Sequence, residues 1–168
     1  MPEAQLREPR EAEVGPFRLR FFPSAHSRFL FGRVPFAGEI ADCDQVPMRA
    51  HQYRCGAVFG VEIEVAKKRI FHLGSAELLD SGLPRRETDL LLLCVAGWQS
   101  SARFPERAAR ALTPRTVLLS HWDDFLRPVE SGARMLPAMQ LPRLVDRLSA
   151  ATREARIGTL PLLGALQI

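Results

Sequence analysis

Apolar and polar positions alternate along Phe17–Phe21, where Arg18 and Arg20 separate Phe17, Leu19 and Phe21. A period of two belongs to a half-buried strand, with the phenylalanines and Leu19 facing in. Pro23 stops the pairing, and His26 sits just past the strand end. Ala57–Val65 reads as a second strand whose later half alternates cleanly. Ala66–Lys68 makes a tight turn and Arg69–Leu73 returns, giving a hairpin. Leu78–Leu83 reads as a helical turn before Pro84. Asp89–Gly97 is apolar without alternation, as in a strand covered on both faces.

Arg103–Leu112 predicts a short helix: Pro105 suits its first turn and its alanines favour the state. Thr116–Ser120 follows as a buried strand introduced by Pro114. The order strand, helix, strand implies a right-handed crossover and a parallel pair. Leu141, Leu144, Val145, Leu148 and Ala151 fall at helical spacing, which predicts a helix from about Pro142 to Arg153. Arg156–Leu160 is a short last strand. Met1–Val14, rich in mixed charge, reads as a mobile leader, and residues 15–168 as one half-domain. Phe29–Arg54 holds Gly32, Pro35, Gly38 and Pro47 without a sustained period. It reads as a long loop with room for a short turn of helix, and loops of that length are usually functional.

A chain of 168 residues can bury roughly 70% of its unfolded surface, enough for a core. With 46% hydrophobic and 25% charged residues it is not a disordered chain. The net charge of +4 comes with arginines scattered along the chain. A nucleic-acid surface needs a clustered basic stripe with stacking aromatics, and none is present. Cys43, Cys55 and Cys94 lack metal-type spacing and are odd in number, which suits reduced thiols and a cytoplasmic setting. No apolar stretch reaches bilayer length, and the polar N-terminus does not read as a secretory signal.

Candidate chemistry gathers at strand ends. Thr116–Phe125 begins as a strand and ends in a polar cluster led by His121. The strand before His26 and the hairpin before Gly74–Glu77 end similarly. Ligands sit at such carboxyl ends in α/β proteins. Imidazoles and a carboxylate at one edge would suit zinc or a similar divalent ion. The bland readings stand beside this one. His72 alternates within a strand, so packing competes with a supporting role at the site. His51 is a loop residue. Asp123 and Asp124 either orient His121 through its second nitrogen or cap a turn. Trp122 either walls a pocket or packs. Trp98, Ser100 and Ser101 are placed to line the same edge. Ser75 lacks the glycines of a nucleophile elbow.

Three segments together carry a resemblance: Ile70–Ala76, Thr88–Leu93 and Val117–Phe125, with Pro23–Ser27 before them. In order and spacing they resemble the second half of a metallo-β-lactamase-fold hydrolase, of the branch with lactonases and N-acyl phospholipase-D-like enzymes. The resemblance implies an α/β chain (α+β sandwich type) that is one half of the αββα metallo-β-lactamase fold, a mixed sheet with helices on one face. It implies His26 and His121 as metal ligands. Ser75 stands where the family has an aspartate bridging two metals, and Glu77 is the nearby carboxylate that could substitute. His72, Ser75, Trp122, Asp123 and Asp124 would support the site or line its pocket.

The family's His-X-His-X-Asp-His motif is absent; the histidines here, His26, His51, His72 and His121, are all isolated. Intact relatives use a two-metal site to hydrolyse an ester, lactone or phosphodiester. The expectation here is weak or absent binding of zinc or another divalent metal, with little hydrolysis by the chain alone. The resemblance implies a fragment or a natural half-protein. Its uncovered sheet face should be apolar and should bind the missing N-terminal half or form a homo-oligomer. Phe17, Phe21, Phe59, Ile63 and Leu91 are candidates for either face. The rival reading is a non-catalytic interaction module that uses the same face.

Overall fold

The computed structural model describes residues 10–28, 30–40, 48–124, 126–152 and 154–168. Among these, seven strands lie side by side in sequence order: β1 Arg10–Val14, β2 Phe17–Pro23, β3 Phe59–Val65, β4 Lys68–Leu73, β5 Thr88–Cys94, β6 Pro114–Ser120 and β7 Arg156–Gly158. The pairs from β1 to β4 are antiparallel and those from β4 to β7 parallel. Two α-helices, α1 Phe104–Leu112 and α2 Leu141–Thr152, complete the main frame.

Local chemistry explains these boundaries. Ala66 and Lys67 both take positive φ, 49° and 63°, so β3 returns through a two-residue turn whose twist matches the strands. Pro105 occupies the first turn of α1, where its missing N–H costs nothing. Thr113 ends α1 in the left-handed conformation, its N–H donating to the Ala109 carbonyl at 2.9 Å. The strand–helix–strand passage then gives the parallel β5–β6 pair.

Alternation sorts the side chains. Phe71, Leu73, Leu91, Leu93 and Val117 point to one face and are fully buried beneath Phe104, Leu112, Leu144 and Leu148 of the helices. Gly60 lies under the Phe71 ring; a Cβ there would stand 2.8 Å from Phe71 Cε1, so no larger residue fits without displacing the core. Beyond the helices, over β2 and β3, the same face is closed by charge. Glu62 is fully buried, within 3.4 Å of Arg20 and 3.6 Å of Arg69, and it also bonds Arg86.

The opposite face carries Leu19 and Phe21 of β2, Val61 and Ile63 of β3, Ile70 and His72 of β4, and Leu90 and Leu92 of β5. Among the described residues, the hydrophobic core to which the helices contribute lies on the first face. Phe17, Phe21, Phe59 and Ile63 belong to this face and Leu91 to the helix-covered one. The arrangement is a mixed sheet with helices on one face, as half of an αββα sandwich requires.

One sequence expectation needs correction. Arg10–Val14, read as mobile leader, is an edge strand in register with β2, Ala12 opposite Leu19. Its alternating Glu11 and Glu13 fall on the charged side, where Glu11 bonds Arg20 at 2.6 Å. The rest of the leader, residues 1–9, lies outside the described residues, as does Cys43. The Phe29–Arg54 loop contains short 3-10 turns at Leu30–Gly32 and Ala50–Gln52. Among the described residues no helix is long and apolar enough to cross a membrane.

Candidate functional site

Strand direction builds the site. β2 is antiparallel to β3, and β3 to β4, so β2 runs the same way as β4, β5 and β6. The segments leaving all of these strands therefore emerge from one edge of the sheet. His26 follows β2, Ser75 and Glu77 follow β4, Ala96 and Gly97 follow β5, and His121 follows β6. At the sheet, β2 and β6 are four strand spacings apart, about 19 Å.

Hydrogen bonds narrow that gap. The Ser27 N–H donates to Ser75 Oγ at 2.8 Å, and Ser27 Oγ donates to the Ala96 carbonyl at 3.2 Å. The loop after β2 is thereby carried over the ends of β4 and β5. Ser100 Oγ reinforces it by donating to the Arg28 carbonyl at 2.6 Å. Gly97, at φ 78°, allows the approach: a Cβ there would be 3.0 Å from Ser27 Oγ. On the far side, Cys94 Sγ lies 3.5 Å from His121 Nδ1. Burial pushes the Cys94 thiol up despite a hydrogen bond from the Ala96 backbone, so the sulfur keeps its proton.

Each candidate side chain has a place. His26 Nδ1 is 2.7 Å from the Ser27 carbonyl, which can only accept, so that nitrogen donates and Nε2 is the ring atom turned away from this bond. The ring is half-buried and lines a cavity of about 430 Å³, walled by residues 23–26, 34, 37–38 and 55–59. His121 is exposed and takes φ 56°, uncommon for a side chain of its size. Ser75 is buried and accepts from Ser27. Trp122 is half-buried and packs against the core, so it follows its bland reading. Asp124 Oδ1 accepts from the Leu126 N–H at 3.2 Å, as a turn residue does. Asp123 pairs with Met135 as an isolated bridge. His72 lies on the uncovered sheet face, where burial among neighbours lowers its pKa. Trp98 turns into the core and donates to the Met139 carbonyl at 2.8 Å.

Glu77 turns elsewhere. Its Oε1 accepts from Arg107 Nη1 at 3.0 Å and from the Leu78 N–H at 2.9 Å, tying the carboxylate to α1. The donor set does not suit a catalytic divalent ion. Zinc in hydrolases takes three protein ligands. Here Ser75 offers a neutral hydroxyl already engaged with Ser27, and Cys94 a protonated thiol. Among the described residues no three His, Cys, Asp or Glu side chains are grouped to hold a metal. Sequence reasoning missed Ser27, Gly97 and the Cys94–His121 contact. The signal for Ser27 was its place in the Pro23–Ser27 loop; nothing local marked the other two.

The structure is similar to the crystal structure of the metallo-beta-lactamase fold protein YhfI from Bacillus subtilis, with a TM-score of 0.49 and 12% sequence identity. The match covers 90% of this chain and 50% of that one, so this chain spans half the length of its neighbour. No protein-family model and no curated protein matches.

Proposed function

We propose that this chain is a half-fold unit of the metallo-β-lactamase hydrolase type that does not hydrolyse substrate by itself. Its helix-backed sheet packs its uncovered face against a partner layer. Its edge, with His26 and His121, supplies part of the wall of a site completed in the assembly. Where the assembly is catalytic, an ester, lactone or phosphodiester is the substrate class that the resemblance implies. Free Cys55 and Cys94 suit a reducing, cytoplasmic setting.

The observation that supports this reading is the edge chemistry. It offers imidazoles, hydroxyls and a protonated thiol, while Glu77 is held by Arg107 and Asp124 by the Leu126 N–H. The test is zinc titration by calorimetry together with turnover of nitrophenyl esters, a lactone and bis(nitrophenyl) phosphate. The expected result is no stoichiometric zinc and no zinc-dependent turnover. Tight one-to-one zinc binding with zinc-dependent turnover would sink the proposal. The second reading, a purely non-catalytic interaction module, is favoured by the uncovered face and differs only in having no catalytic assembly.

A further inference from the structure

The face away from the helices has an unusual charge distribution. Register places Arg10, Lys68 and Arg156 on it and no carboxylate at all. Each of these cations lies at a strand terminus, as the first residue of β1, β4 or β7. The flanks of the middle are aliphatic, half-buried Val61 and Ile63 on one side of β4 and half-buried Leu92 with the already buried Leu90 on the other, while β4 itself contributes Ile70 and His72. Val14 and Phe17, a facing pair at one corner, remain 59% and 43% exposed.

The size of the face decides what can cover it. Seven strands spaced about 4.8 Å apart, each about six residues long, span about 650 Å². Two such faces brought together bury about 1300 Å², inside the range of stable protein interfaces. The symmetry of the sheet also fits. β4 is the middle strand of the seven, so a two-fold along it sets β3 of one copy over β5 of the other, and β2 over β6. Val61 and Ile63 then meet Leu90 and Leu92, and Phe21 meets Leu118. The same two-fold sets His72 over His72 of the second copy in the middle, and Lys68 over Lys68 at the open end of β4, where solvent screens the pair.

We propose that two copies of this chain pack sheet face to sheet face, forming a four-layer αββα homodimer with β4 at its centre. This rests on the reading that the face binds a partner, and it commits the partner to a second copy. Aligned sheets pack about 10 Å apart with a twist of about 30°, which leaves Arg10 and Lys68 at the solvent rim, while Arg156 is held at the β6 edge by donating to Thr116 Oγ1 at 3.3 Å.

The test is sedimentation velocity on the full chain, alone and as Ile63→Asp and Leu92→Asp, with far-UV circular dichroism and hydrophobic-dye binding on the same samples. The expected wild-type species is a dimer of twice 18.8 kDa. Each substitution should weaken dimerisation about 100-fold or more while secondary structure is retained. If the aspartates prevent folding, Val61→Thr, isosteric and half-buried, should still weaken the dimer. A dimer that survives all of these substitutions overturns the proposal, because the copies then meet elsewhere. A monomer that binds dye also overturns it, but leaves an open face for a different partner layer. A monomer that binds no dye overturns both the dimer and the partner-binding reading beneath it.

Discussion

Glu62 and Glu64 make a paired experiment on what holds the β2–β3 wing. They lie two residues apart on one face of β3, and both lie within 4 Å of the same cations, Arg20, Arg69 and Arg86. They differ in burial, with side chains 1% and 29% exposed. Replacing Glu62 by Gln leaves guanidiniums facing a neutral amide in a site closed to water. Removing one member of a buried pair costs about 3–5 kcal/mol. The arginines are 23%, 31% and 32% exposed and can turn toward solvent, so the lower end, about 3 kcal/mol, applies. Glu64→Gln loses contacts of 3.5–3.7 Å at a partly solvated position, worth about 0.2–1 kcal/mol.

Urea denaturation, followed by the fluorescence of buried Trp98, reads both variants. With an m-value of about 2 kcal/mol/M, the Glu62 variant should lose about 1.5 M in midpoint and the Glu64 variant no more than about 0.5 M. Equal shifts would mean that the number of ion pairs, not their burial, governs the wing. That outcome would refute the reasoning.

Three further outcomes follow from single sites. Gly60→Ala should destabilise by about 1–3 kcal/mol through the Phe71 ring, and Phe71→Leu in the same chain should recover part of it in a double-mutant cycle. Glu106 bonds Arg147 at 2.6 and 2.8 Å, which holds its carboxyl below the ordinary value near 4.5. Its contribution is therefore complete above pH 4.5 and is lost as pH falls through the lower folded value; Glu106→Gln should flatten the acid limb of the stability curve. His72, lowered by burial from 6.5 with uncharged Val61 and Leu92 beside it, should favour unfolding as pH falls from 6.5 toward its folded value. His72→Leu should abolish that slope in chemical denaturation.

Much of the frame could be read along the chain because it is written in short-range periods. The β3–β4 hairpin, the continuous apolar run of β5 and the helical spacing from Leu141 to Leu148 each declare themselves within a dozen residues. β1 did not. Three of its five residues are charged, and only pairing with β2 turns that stretch into a strand. The common edge was legible because strand direction follows from connection type. The side-chain partners across it were not. Nothing near Glu77 announces Arg107, which arrives from α1 and takes its carboxylate. Cys94 reads correctly as buried, yet its neighbour His121 lies 27 residues away and becomes visible only when β5 and β6 align.

The outermost strands shape what kind of assembly this sheet permits. β1 presents Arg10, Glu11 and Glu13 within five residues, and β7 is only three residues long. Charged and abbreviated rims discourage further strands from adding sideways. Growth by lateral stacking into fibrils is thus disfavoured. Contact across the broad flank is different, because it uses up the sticky surface in one step and ends at a closed, countable particle.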